Sequence, residues 1–346
     1  MSSRSWQKVI EFISTRNDFI ITSHISPDGD AIGSECALAL MLAHKGKRSH
    51  IINVSPTPNH YRFLDPEGAI AQYDPSQHLE LFRSAGGVFI VDISDWARLR
   101  EVGKVIREFH LPRVCIDHHT QSDGMADIEV VDSSASCTGE LLFDLSRAMG
   151  IKPTGRLTEA LYTCLVTDTG SFRFANTTPE VHRMAAELVA AGVEVGKVYE
   201  EVYESNSPAK VRLMGEVLRS LSFECEGALA WFALTRQALE QSGVMTWELE
   251  SFPELPRMVA GVEVSLSLTE LNNGRTKISL RSKGRIPVIG IAAKFGGGGH
   301  TFAAGASVPG SLDTVLEQVL AETRRVVESH LQAKTSCAQR TNGAAS

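Results

Sequence analysis

One stretch near the start of the chain, Ser23–Ser34, places a histidine and two aspartates in a short turn that reads SHISPDGDAIGS. It follows the apolar run Phe19–Thr22, which predicts a buried strand, and it leads into Ala31–His44, where apolar residues recur at helical spacing. A strand that turns directly into a helix is typical of an open α/β sheet, which binds ligands at the carboxyl ends of its strands. Carboxylates packed this closely repel one another unless a cation neutralises them. A turn that simply favours Pro, Asp and Gly explains the stretch about equally well.

Three further sites carry acidic or histidine residues at the end of an apolar run: Asp92, the triplet Asp117-His118-His119, and Asp168. An aspartate in such a position is often a helix N-cap, and for Asp92 or Asp168 alone we favour that explanation. Two adjacent histidines point in divergent directions, so one can bind a metal while its neighbour faces a substrate. Four such sites in one chain argue against four separate structural explanations. Asp oxygens and His nitrogens suit Mn²⁺ or Mg²⁺, whereas thiolates select softer metals, so these residues predict a divalent-cation site.

The order of the patterns predicts the fold class. In the first half of the chain, apolar runs alternate with helical patterns, which indicates a parallel sheet with covering helices. Because 346 residues are long for a single core, we expect an α/β protein of two domains. The first has a mostly parallel sheet with covering helices, and the smaller C-terminal α/β domain has a mixed sheet. The expected bounds are a catalytic domain at 1–191, a helical linker at 192–221, a second domain at 222–332 and a disordered tail at 333–346.

Charge and composition exclude several classes of protein. The formal net charge is −7 and no long basic run occurs, which argues against strong sequence-independent binding of long nucleic acid. A local basic pocket for a short anionic substrate remains compatible with this charge. The six cysteines form no CxxC pair, so a zinc ribbon is not expected. The N-terminus lacks a signal-peptide core and no segment approaches about 18 unbroken apolar residues, so we expect a cytoplasmic protein without a membrane partner.

A glycine-rich run, Gly296–Gly299, precedes His300 in the second half of the chain. Glycine clusters usually mark flexible loops, and no P-loop Lys-Ser/Thr pair follows this one. Backbone N–H groups without a Cβ can nevertheless approach an anion closely. Arg281, on a predicted neighbouring strand, could bind a phosphate with its forked guanidinium group. The region is therefore a candidate for binding a substrate phosphate.

In combination and order, these motifs resemble the DHH phosphoesterase family, which is named for the triplet at 117–119. The resemblance extends to its DHH-associated C-terminal domain, whose signature is matched by residues 295–300 and by Ala303-Ala304-Gly305. It covers nearly the whole chain, from about Trp6 to about Gln332. The compact length and the run at 278–282 are similar to the branch of nano-RNases and 3′-phosphoadenosine-5′-phosphate phosphatases. The much longer exonucleases of the family fit less well.

The resemblance implies a role for each motif residue. It implies two divalent ions, with Mn²⁺ preferred and Mg²⁺ as the alternative. One ion would be held by His24, Asp28 and Asp92, and the other by Asp30, Asp92, His118 and Asp168. Asp92 would bridge the ions, and His119 would face the scissile phosphate, so these two residues are the expected catalytic pair. The residues that the resemblance assigns to substrate binding are His119, Arg281, Gly297, Gly298, Gly299 and His300.

The function implied is the hydrolysis of short oligoribonucleotides, including dinucleotides, to 5′-mononucleotides. The partner would be a short single-stranded RNA or a nucleotide, and a homodimer is an open alternative for the assembly. Two other substrates fit the same site: 3′-phosphoadenosine 5′-phosphate (PAP) and the linear dinucleotides formed from cyclic dinucleotide signals. Manganese pyrophosphatases share the metal motifs but lack the glycine-histidine loop, which counts against them. A non-catalytic nucleotide-binding protein would have no need of the four motif aspartates.

Overall fold

The structure is a computed structural model that describes residues 6–93, 95–119 and 123–343. Contacts between residues divide the chain into two compact units, Met1–Ser205 and Asn206–Ser346. The division lies within the segment 192–221 that the sequence analysis expected to link two domains. The expected α/β architecture with two different sheets is confirmed.

The first unit contains a six-stranded sheet in which every neighbouring pair of strands is parallel. The strand order is β3-β2-β1-β4-β5-β6. The strands are β1 (Phe19–Thr22), β2 (Ser49–Asn53), β3 (Ala71–Gln72), β4 (Gly87–Val91), β5 (Arg113–Asp117) and β6 (Ile128–Val131). The strands β1 and β4 in the middle of the sheet are buried along their whole length, as a parallel sheet covered on both faces requires.

Helices cover both faces of this sheet. They are α1 (Gln7–Ser14), α2 (Gly29–His44), α3 (Pro75–Ser84), α4 (Arg100–Glu108), α5 (Thr138–Ala148), α6 (Arg156–Asp168), α7 (Pro179–Ala190) and α8 (Val195–Tyr199), the last continued by a π-helical turn at Glu200–Glu204. Successive strand residues point to opposite faces, so Ile21 of β1 packs in the core with α2, α5 and α6, while Ile20 packs in the core with α3 and α4. The two hydrophobic cores fix the helices around the sheet.

Three glycines allow α2, α5 and α6 to pack unusually closely. A Cβ at Gly29 would lie 2.3 Å from Cγ2 of Thr167, and one at Gly33 would lie 2.5 Å from Sγ of Cys164. A Cβ at Gly139 would lie 2.3 Å from Cβ of Cys164. All three distances are shorter than real contacts, so only glycine fits. The close packing brings the first turns of α2 and α5 against the last turns of α6.

The second unit contains a mixed six-stranded sheet in the order β11-β12-β10-β9-β8-β7. Its strands are β7 (Ser222–Glu224), β8 (Leu229–Leu234), β9 (Val264–Glu270), β10 (Arg275–Ser282), β11 (Gly298–His300) and β12 (Ala303–Pro309). Its helices are α9 (Pro208–Ser220), α10 (Arg236–Ser242), α11 (Ile289–Lys294) and α12 (Leu312–Gly343). Only the β8–β9 pair is parallel among the neighbours in this sheet that the structure describes.

Short 3₁₀ segments connect several of these elements, at Asn59–Leu64, Trp96–Leu99, Cys225–Gly227, Thr246–Leu249 and Phe252–Met258. The helix α12 continues through residues 333–343, where the sequence analysis expected a disordered tail, and 344–346 lie outside the described residues. Among the helices that the structure describes, none combines the length and the apolar character needed to cross a membrane.

Candidate functional site

Three of the six predicted metal-binding residues directly follow neighbouring strands of the first sheet. His24 follows β1, Asp92 follows β4, and His118 follows β5. These strands are adjacent and parallel, so their carboxyl ends meet at one edge of the sheet. Their side chains therefore converge, as the sequence analysis expected from parallel strands.

Asp168 reaches the same site from a different kind of element. The apolar run before it is the end of a helix, because Asp168 is the last residue of α6. A carboxylate at a helix C-terminus is disfavoured by the helix dipole, so the N-cap explanation does not apply to Asp168. Its position favours a role in the site over a role in stabilising the helix.

One group of donor atoms is centred on His118. Its Nε2 atom lies 3.1 Å from Oδ2 of Asp168 and 3.6 Å both from Oδ2 of Asp30 and from Oδ1 of Asp92. His118, Asp30 and Asp92 are almost fully buried. Four residues that are up to 138 positions apart in sequence thus present three carboxylates and one imidazole to one small volume.

A second group of donor atoms is centred on His24. Its Nε2 atom lies 3.5 Å from Oδ2 of Asp92 and 4.0 Å from Oδ2 of Asp28. Its Nδ1 atom is 2.9 Å from the carbonyl oxygen of Ile25. Because a carbonyl only accepts hydrogen bonds, Nδ1 carries the proton and Nε2 presents its lone pair to the group. The two groups share Asp92, which gives one carboxylate oxygen to each.

The N-terminus of α5 holds two of these carboxylates in place. The backbone N–H of Thr138 donates to Oδ2 of Asp30 at 2.6 Å, and that of Gly139 donates to Oδ1 at 3.0 Å. The hydroxyl of Thr138 donates to Oδ1 of Asp92 at 3.2 Å. Thr138 and Gly139 are not recognisable from the sequence as site residues, because a Thr-Gly pair is also common outside functional sites. Hydrogen bonds from free N–H groups of a helix N-terminus orient a carboxylate and partly compensate its charge.

Asp28 combines a structural role with its place in the site. Its Oδ1 atom accepts hydrogen bonds from the N–H groups of Asp30 and Ala31, each at 3.1 Å, so it is the N-cap of α2. Its Oδ2 atom is the one that lies near His24. Both explanations offered for this turn therefore apply to Asp28. Its Oδ1 atom stabilises the turn as a helix cap, and its Oδ2 atom belongs to the group around His24.

The electrostatics of this edge show an excess of negative charge. Burial, together with the nearby Asp30 and Asp28, raises the pKa of Asp92 well above its ordinary value. Burial also raises the pKa of Asp30, and it lowers the pKa of His118. Burial and Arg98 lower the pKa of His24 to about 4, so this imidazole is neutral at pH 7. Neutral imidazoles beside buried carboxylates leave the cluster short of positive charge, which is the charge that divalent cations supply.

The fit to metal ions also follows from the donor chemistry. In each group, three residues offer Asp oxygens and His nitrogens that all lie within 4.8 Å of one another: His24, Asp28 and Asp92 in one, and Asp30, Asp92 and His118 in the other. Two buried thiols stand near Asp30, those of Cys137 and Cys164, but burial raises the pKa of both well above the ordinary value. They stay protonated and are poor ligands. The donor set therefore fits hard or borderline divalent cations such as Mg²⁺ or Mn²⁺.

The remaining member of the triplet, His119, is oriented by its neighbour Asp117. Oδ1 of Asp117 lies 2.7 Å from Nδ1 of His119 and also accepts a hydrogen bond from the backbone N–H of His118. Asp117 is completely buried. The sequence gives Asp117 no role of its own within the triplet, whereas in the structure it fixes the ring orientation of His119.

The backbone at Asp92 is strained. Its φ angle is +58°, in the left-handed region that L-residues other than Asn and Asp rarely adopt. Such strain persists where the surrounding structure holds it, and it concentrates at functional sites. At Asp92 it accompanies the placement of one carboxylate between two histidine-centred groups.

In the second unit, the predicted phosphate-binding residues share one face of the sheet. Arg281 of β10 pairs with Ala303 of β12, and Ala303 pairs with His300 of β11. Residues directly opposite on neighbouring strands point to the same face, so Arg281 and His300 flank the small Ala303. The register thus places the two predicted phosphate-binding side chains, those of Arg281 and His300, on the same face.

The glycines beside His300 have distinct structural reasons. A Cβ at Gly297 would lie 2.1 Å from the carbonyl oxygen of Gly305, and Gly299 has a φ of +133° that L-residues rarely adopt. These two glycines are therefore needed for β11 to pair at all. Around Gly298, by contrast, nothing lies within 4 Å of the position of a Cβ, so its backbone is open to a ligand.

Two charged residues next to Arg281 were not singled out from the sequence. Glu254 forms an ion pair with Arg281, whose Nε lies 3.0 Å from Oε1 of the carboxylate, and its other oxygen accepts a hydrogen bond from Nη1 of Arg257. Both lie in the 3₁₀ segment Phe252–Met258. No local signal connects them with β10, because the contact depends on how the segment packs on the sheet.

Comparison with known proteins gives this geometry a context. The family described as DHH family, N-terminal domain, matches residues 18–169, and the DHHA1 domain matches residues 237–329. A relative from Thermus thermophilus, named bifunctional oligoribonuclease and PAP phosphatase NrnA, is 35% identical over 326 residues. That match covers 93% of this chain and 95% of the relative. The chain belongs to the DHH family. It is therefore a phosphoesterase, a hydrolase of phosphoester bonds.

Two further proteins are similar to this chain over nearly its whole length. A protein of the same name from Bacillus subtilis is 28% identical, over 93% of this chain and 99% of the relative. A solved structure described as an exopolyphosphatase-related protein from Bacteroides fragilis matches with a TM-score of 0.85 at 28% identity, covering 93% of this chain and 96% of that one. The first domain match contains both histidine-centred groups, and the second contains Arg281 and His300.

Proposed function

We propose that this DHH-family phosphoesterase hydrolyses short oligoribonucleotides, including dinucleotides, to 5′-mononucleotides with the help of two divalent cations. The observation that carries the proposal is the position of Asp92, which gives one carboxylate oxygen to each of two histidine-centred donor groups. A shared carboxylate is the arrangement that two-metal phosphoryl transfer uses.

The proposed ligands follow the two groups. His24, Asp28 and Asp92 would hold one ion; Asp30, Asp92, His118 and Asp168 would hold the other. When bound, the ions would stabilise negative charge on the phosphoryl oxygens. They would also lower the pKa of a coordinated water molecule, so that hydroxide is available near pH 7. Carboxylate and imidazole donors without thiolate favour Mn²⁺, with Mg²⁺ as the alternative.

The chain itself prepares this site before any ion binds. The α5 N-terminus fixes the carboxylate of Asp30, and the hydroxyl of Thr138 fixes that of Asp92. The Ile25 carbonyl selects the tautomer in which Nε2 of His24 is a donor to metal. Preorganised ligands of this kind reduce the reorganisation that the reaction requires.

We assign His119 to the scissile phosphate. Its Nδ1 is hydrogen-bonded to Asp117, so Nε2 is the ring nitrogen that is available to bind a phosphate oxygen. A hydrogen bond to an anion from a group that is already oriented costs little entropy on binding. Asp92 and His119 are therefore the proposed catalytic pair.

The second unit would bind the nucleotide end of the substrate through Arg281, Gly297, Gly298, Gly299 and His300. The proposal is supported by the register that puts Arg281 and His300 on one face, and by the open backbone at Gly298. A guanidinium and backbone N–H groups are both suited to a phosphate. Binding of a strand end at this face, in a chain with a net charge of −7, would favour short substrates over long ones.

A second activity is favoured by the names of the relatives, which join an oligoribonuclease to a PAP phosphatase. PAP carries two phosphomonoesters on one nucleoside, so one metal site could serve both reactions. Linear dinucleotides released from cyclic dinucleotides are a further substrate with the same chemistry.

The test is a panel of labelled substrates incubated with the full-length protein and Mn²⁺: a dinucleotide, a pentanucleotide RNA, a long single-stranded RNA, and PAP. We expect 5′-mononucleotides from the two short RNAs, release of phosphate from PAP, and slower loss of the long strand in an equimolar mixture. Excess chelator should abolish all of these activities. Full activity in chelator would contradict the metal assignment, and faster loss of the long strand would contradict the preference for short substrates.

A further inference from the structure

The side chain of Asn176 joins two helices that supply the carboxylate cluster of the first unit. Its Nδ2 atom donates to the carbonyl oxygen of Ser136 at 3.0 Å and to that of Asp168 at 3.1 Å. An amide nitrogen carries two hydrogens, so each carbonyl can accept one of them. Ser136 lies directly before the N-cap of α5, and Asp168 is the last residue of α6. Asn176 therefore ties the start of one helix to the end of the other.

The contact of Asn176 with Ser136 leads directly to α5. Both the backbone N–H and the hydroxyl of Ser136 donate to Oε2 of Glu140, in the first turn of α5, at 2.8 Å and 2.9 Å. The N-terminus of the same helix donates two hydrogen bonds to the carboxylate of Asp30. Asn176 is thus connected, through Ser136, to the element that fixes one carboxylate of the His118-centred group.

Asp168 differs from the other carboxylates of that group. Its side chain is 21% exposed, whereas those of Asp30 and Asp92 are 1% and 2% exposed. It also lies at a helix C-terminus, where carbonyl groups without an intrahelical partner disfavour a nearby negative charge. The hydrogen bond from Asn176 to the carbonyl of Asp168 reduces this negative potential and restrains the end of α6.

The loop between Asp168 and Asn176 curls tightly to make this contact. Three consecutive residues of the loop have φ angles of +55°, +56° and +64°: Gly170, Ser171 and Phe172. Residues with a Cβ rarely adopt this region, and such strain concentrates at functional sites. The curl returns the chain to the end of α6, because Asn176 is eight positions from Asp168 and still bonds its carbonyl.

The two donated hydrogen bonds come with an unfavourable contact elsewhere on the same amide. Oδ1 of Asn176 is buried and has no hydrogen-bond partner among the residues that the structure describes. An unpaired buried acceptor destabilises a fold. The amide is therefore better explained by what its nitrogen holds together than by its contribution to stability.

We propose that Asn176 is a positioning residue for the His118-centred metal site. It holds the end of α6 against the start of α5, and so sets the distance between the carboxylate of Asp168 and that of Asp30. The inference rests on the proposed function, because it takes this group to bind a divalent cation. Both amide hydrogens of Asn176 go to carbonyls outside the His24-centred group, so its loss should weaken one ion more than the other.

The test measures Mn²⁺ binding to the full-length protein by isothermal titration calorimetry. Wild-type protein should bind two ions. In Asn176→Ala, the affinity for one ion should fall by roughly 10- to 100-fold, the usual effect of removing a group that orients a metal ligand, while the other affinity stays within a few-fold. Asn176→Asp keeps the shape but offers no donor to the two carbonyls, so it should show the same selective loss despite its added negative charge. Thermal melts in excess chelator identify the variants that are folded.

Thr178→Ala is the matched control. The hydroxyl oxygen of Thr178 accepts from the N–H of Val181 and caps α7, only two positions after Asn176. This variant loses a helix cap and should melt at a lower temperature, but it should bind both ions as the wild type does.

Three results would overturn the role of Asn176 while leaving the two-ion site in place. They are wild-type affinity for both ions in a folded Asn176 variant, an equal loss of both affinities in the Asn176 variants, and the same selective loss in Thr178→Ala. If the wild-type protein itself binds no Mn²⁺, the metal site of the proposed function fails, and the role of Asn176 fails with it.

Discussion

The two units of this protein carry opposite kinds of polar cluster. The first collects carboxylates at a buried sheet edge, where Asp30 and Asp92 are at most 2% exposed. The second collects guanidinium groups, glycines and a histidine on a partly exposed face, where Arg281 is 26% exposed. One cluster is short of positive charge, and the other is built around cationic side chains.

Phosphoester hydrolysis can therefore be divided between the two clusters. A buried anionic cluster is costly to a fold unless cations join it, so its residues are explained by chemistry rather than by stability. A partly exposed cationic cluster is cheap to maintain, because water and Glu254 moderate its charge. Changes in the first cluster should therefore act on the chemical step, and changes in the second should act on substrate binding.

The largest expected effect comes from Asp92→Asn. Asn keeps the shape, tolerates the positive φ of this position and can still accept from Thr138, but it removes the shared charge. The activity should fall by roughly three orders of magnitude or more. In chelator, however, the variant should melt at a higher temperature than the wild type, because one of the repelling carboxylates is gone.

The measurements for Asp92→Asn are kcat on a dinucleotide in Mn²⁺ and thermal melts with chelator and with Mn²⁺. Wild-type protein should gain more stability from Mn²⁺ than the variant does. Asp313→Asn, in the exposed first turn of α12, is the control and should change neither quantity. If Asp92→Asn kept the wild-type kcat, the carboxylate cluster would not control the chemical step.

Features of the fold and the site that depend on neighbouring residues could be predicted from the sequence better than features that depend on distant ones. His24, Asp28 and Asp30 lie within one strand-turn-helix unit, so their spacing suggested a shared site, and the three further motifs favoured that interpretation over a simple turn preference. The sheet classes followed from the pattern of apolar residues, and both are confirmed. The strand β6 was not recognised, since it is short and only partly buried.

What the sequence could not reveal depends on packing between distant segments. The hydrogen bonds from α5 to Asp30 span 108 and 109 positions, and the contact of Glu254 with β10 depends on the seating of a 3₁₀ segment. The sequence grouped Asp168 with the other acids but did not reveal that it ends a helix, unlike His24, Asp92 and His118, which follow strands. The physical reason for Gly33 and Gly139 also became visible only when α2, α5 and α6 were placed together.

The second prediction concerns the cationic cluster. Arg281→Ala and His300→Ala should each raise KM for a dinucleotide by roughly 10- to 100-fold, the usual effect of losing a charged hydrogen bond to an anion. The effect on kcat should be much smaller, and bound manganese per protein should stay at the wild-type value. Steady-state kinetics and metal analysis measure these quantities. Equal loss of manganese in these variants would show that the two clusters do not divide the work.

The smallest expected effect on activity concerns Glu35, a buried acid in the same unit as the carboxylate cluster but outside both histidine-centred groups. It lies in α2 and accepts one hydrogen bond, from Nδ2 of Asn53 at 2.8 Å. Oδ1 of Asn53 in turn accepts from the backbone N–H of Ser23, the residue before His24. Burial, opposed by the Asn53 hydrogen bond, raises the pKa of Glu35 from 4.5 to about 8.

The sign of the pH dependence follows from that raised pKa. Between about pH 4.5 and pH 8, the folded protein keeps a proton on Glu35 that the unfolded chain releases. The stabilising contribution is thus complete below pH 4.5 and is lost as the pH rises towards 8, with a slope of at most about 1.4 kcal/mol per pH unit. Glu35→Gln mimics the protonated acid, so its stability should decline less than that of the wild type over this range, while its activity at pH 7 stays within a few-fold. Urea unfolding at several pH values, with Glu317→Gln on the exposed face of α12 as the control, measures the difference. Parallel stability curves for wild type and Glu35→Gln would mean that Glu35 is ionised in the folded protein, and that burial in this unit does not by itself keep an acid neutral. The negative charge at the sheet edge would then extend beyond the residues proposed to bind metal.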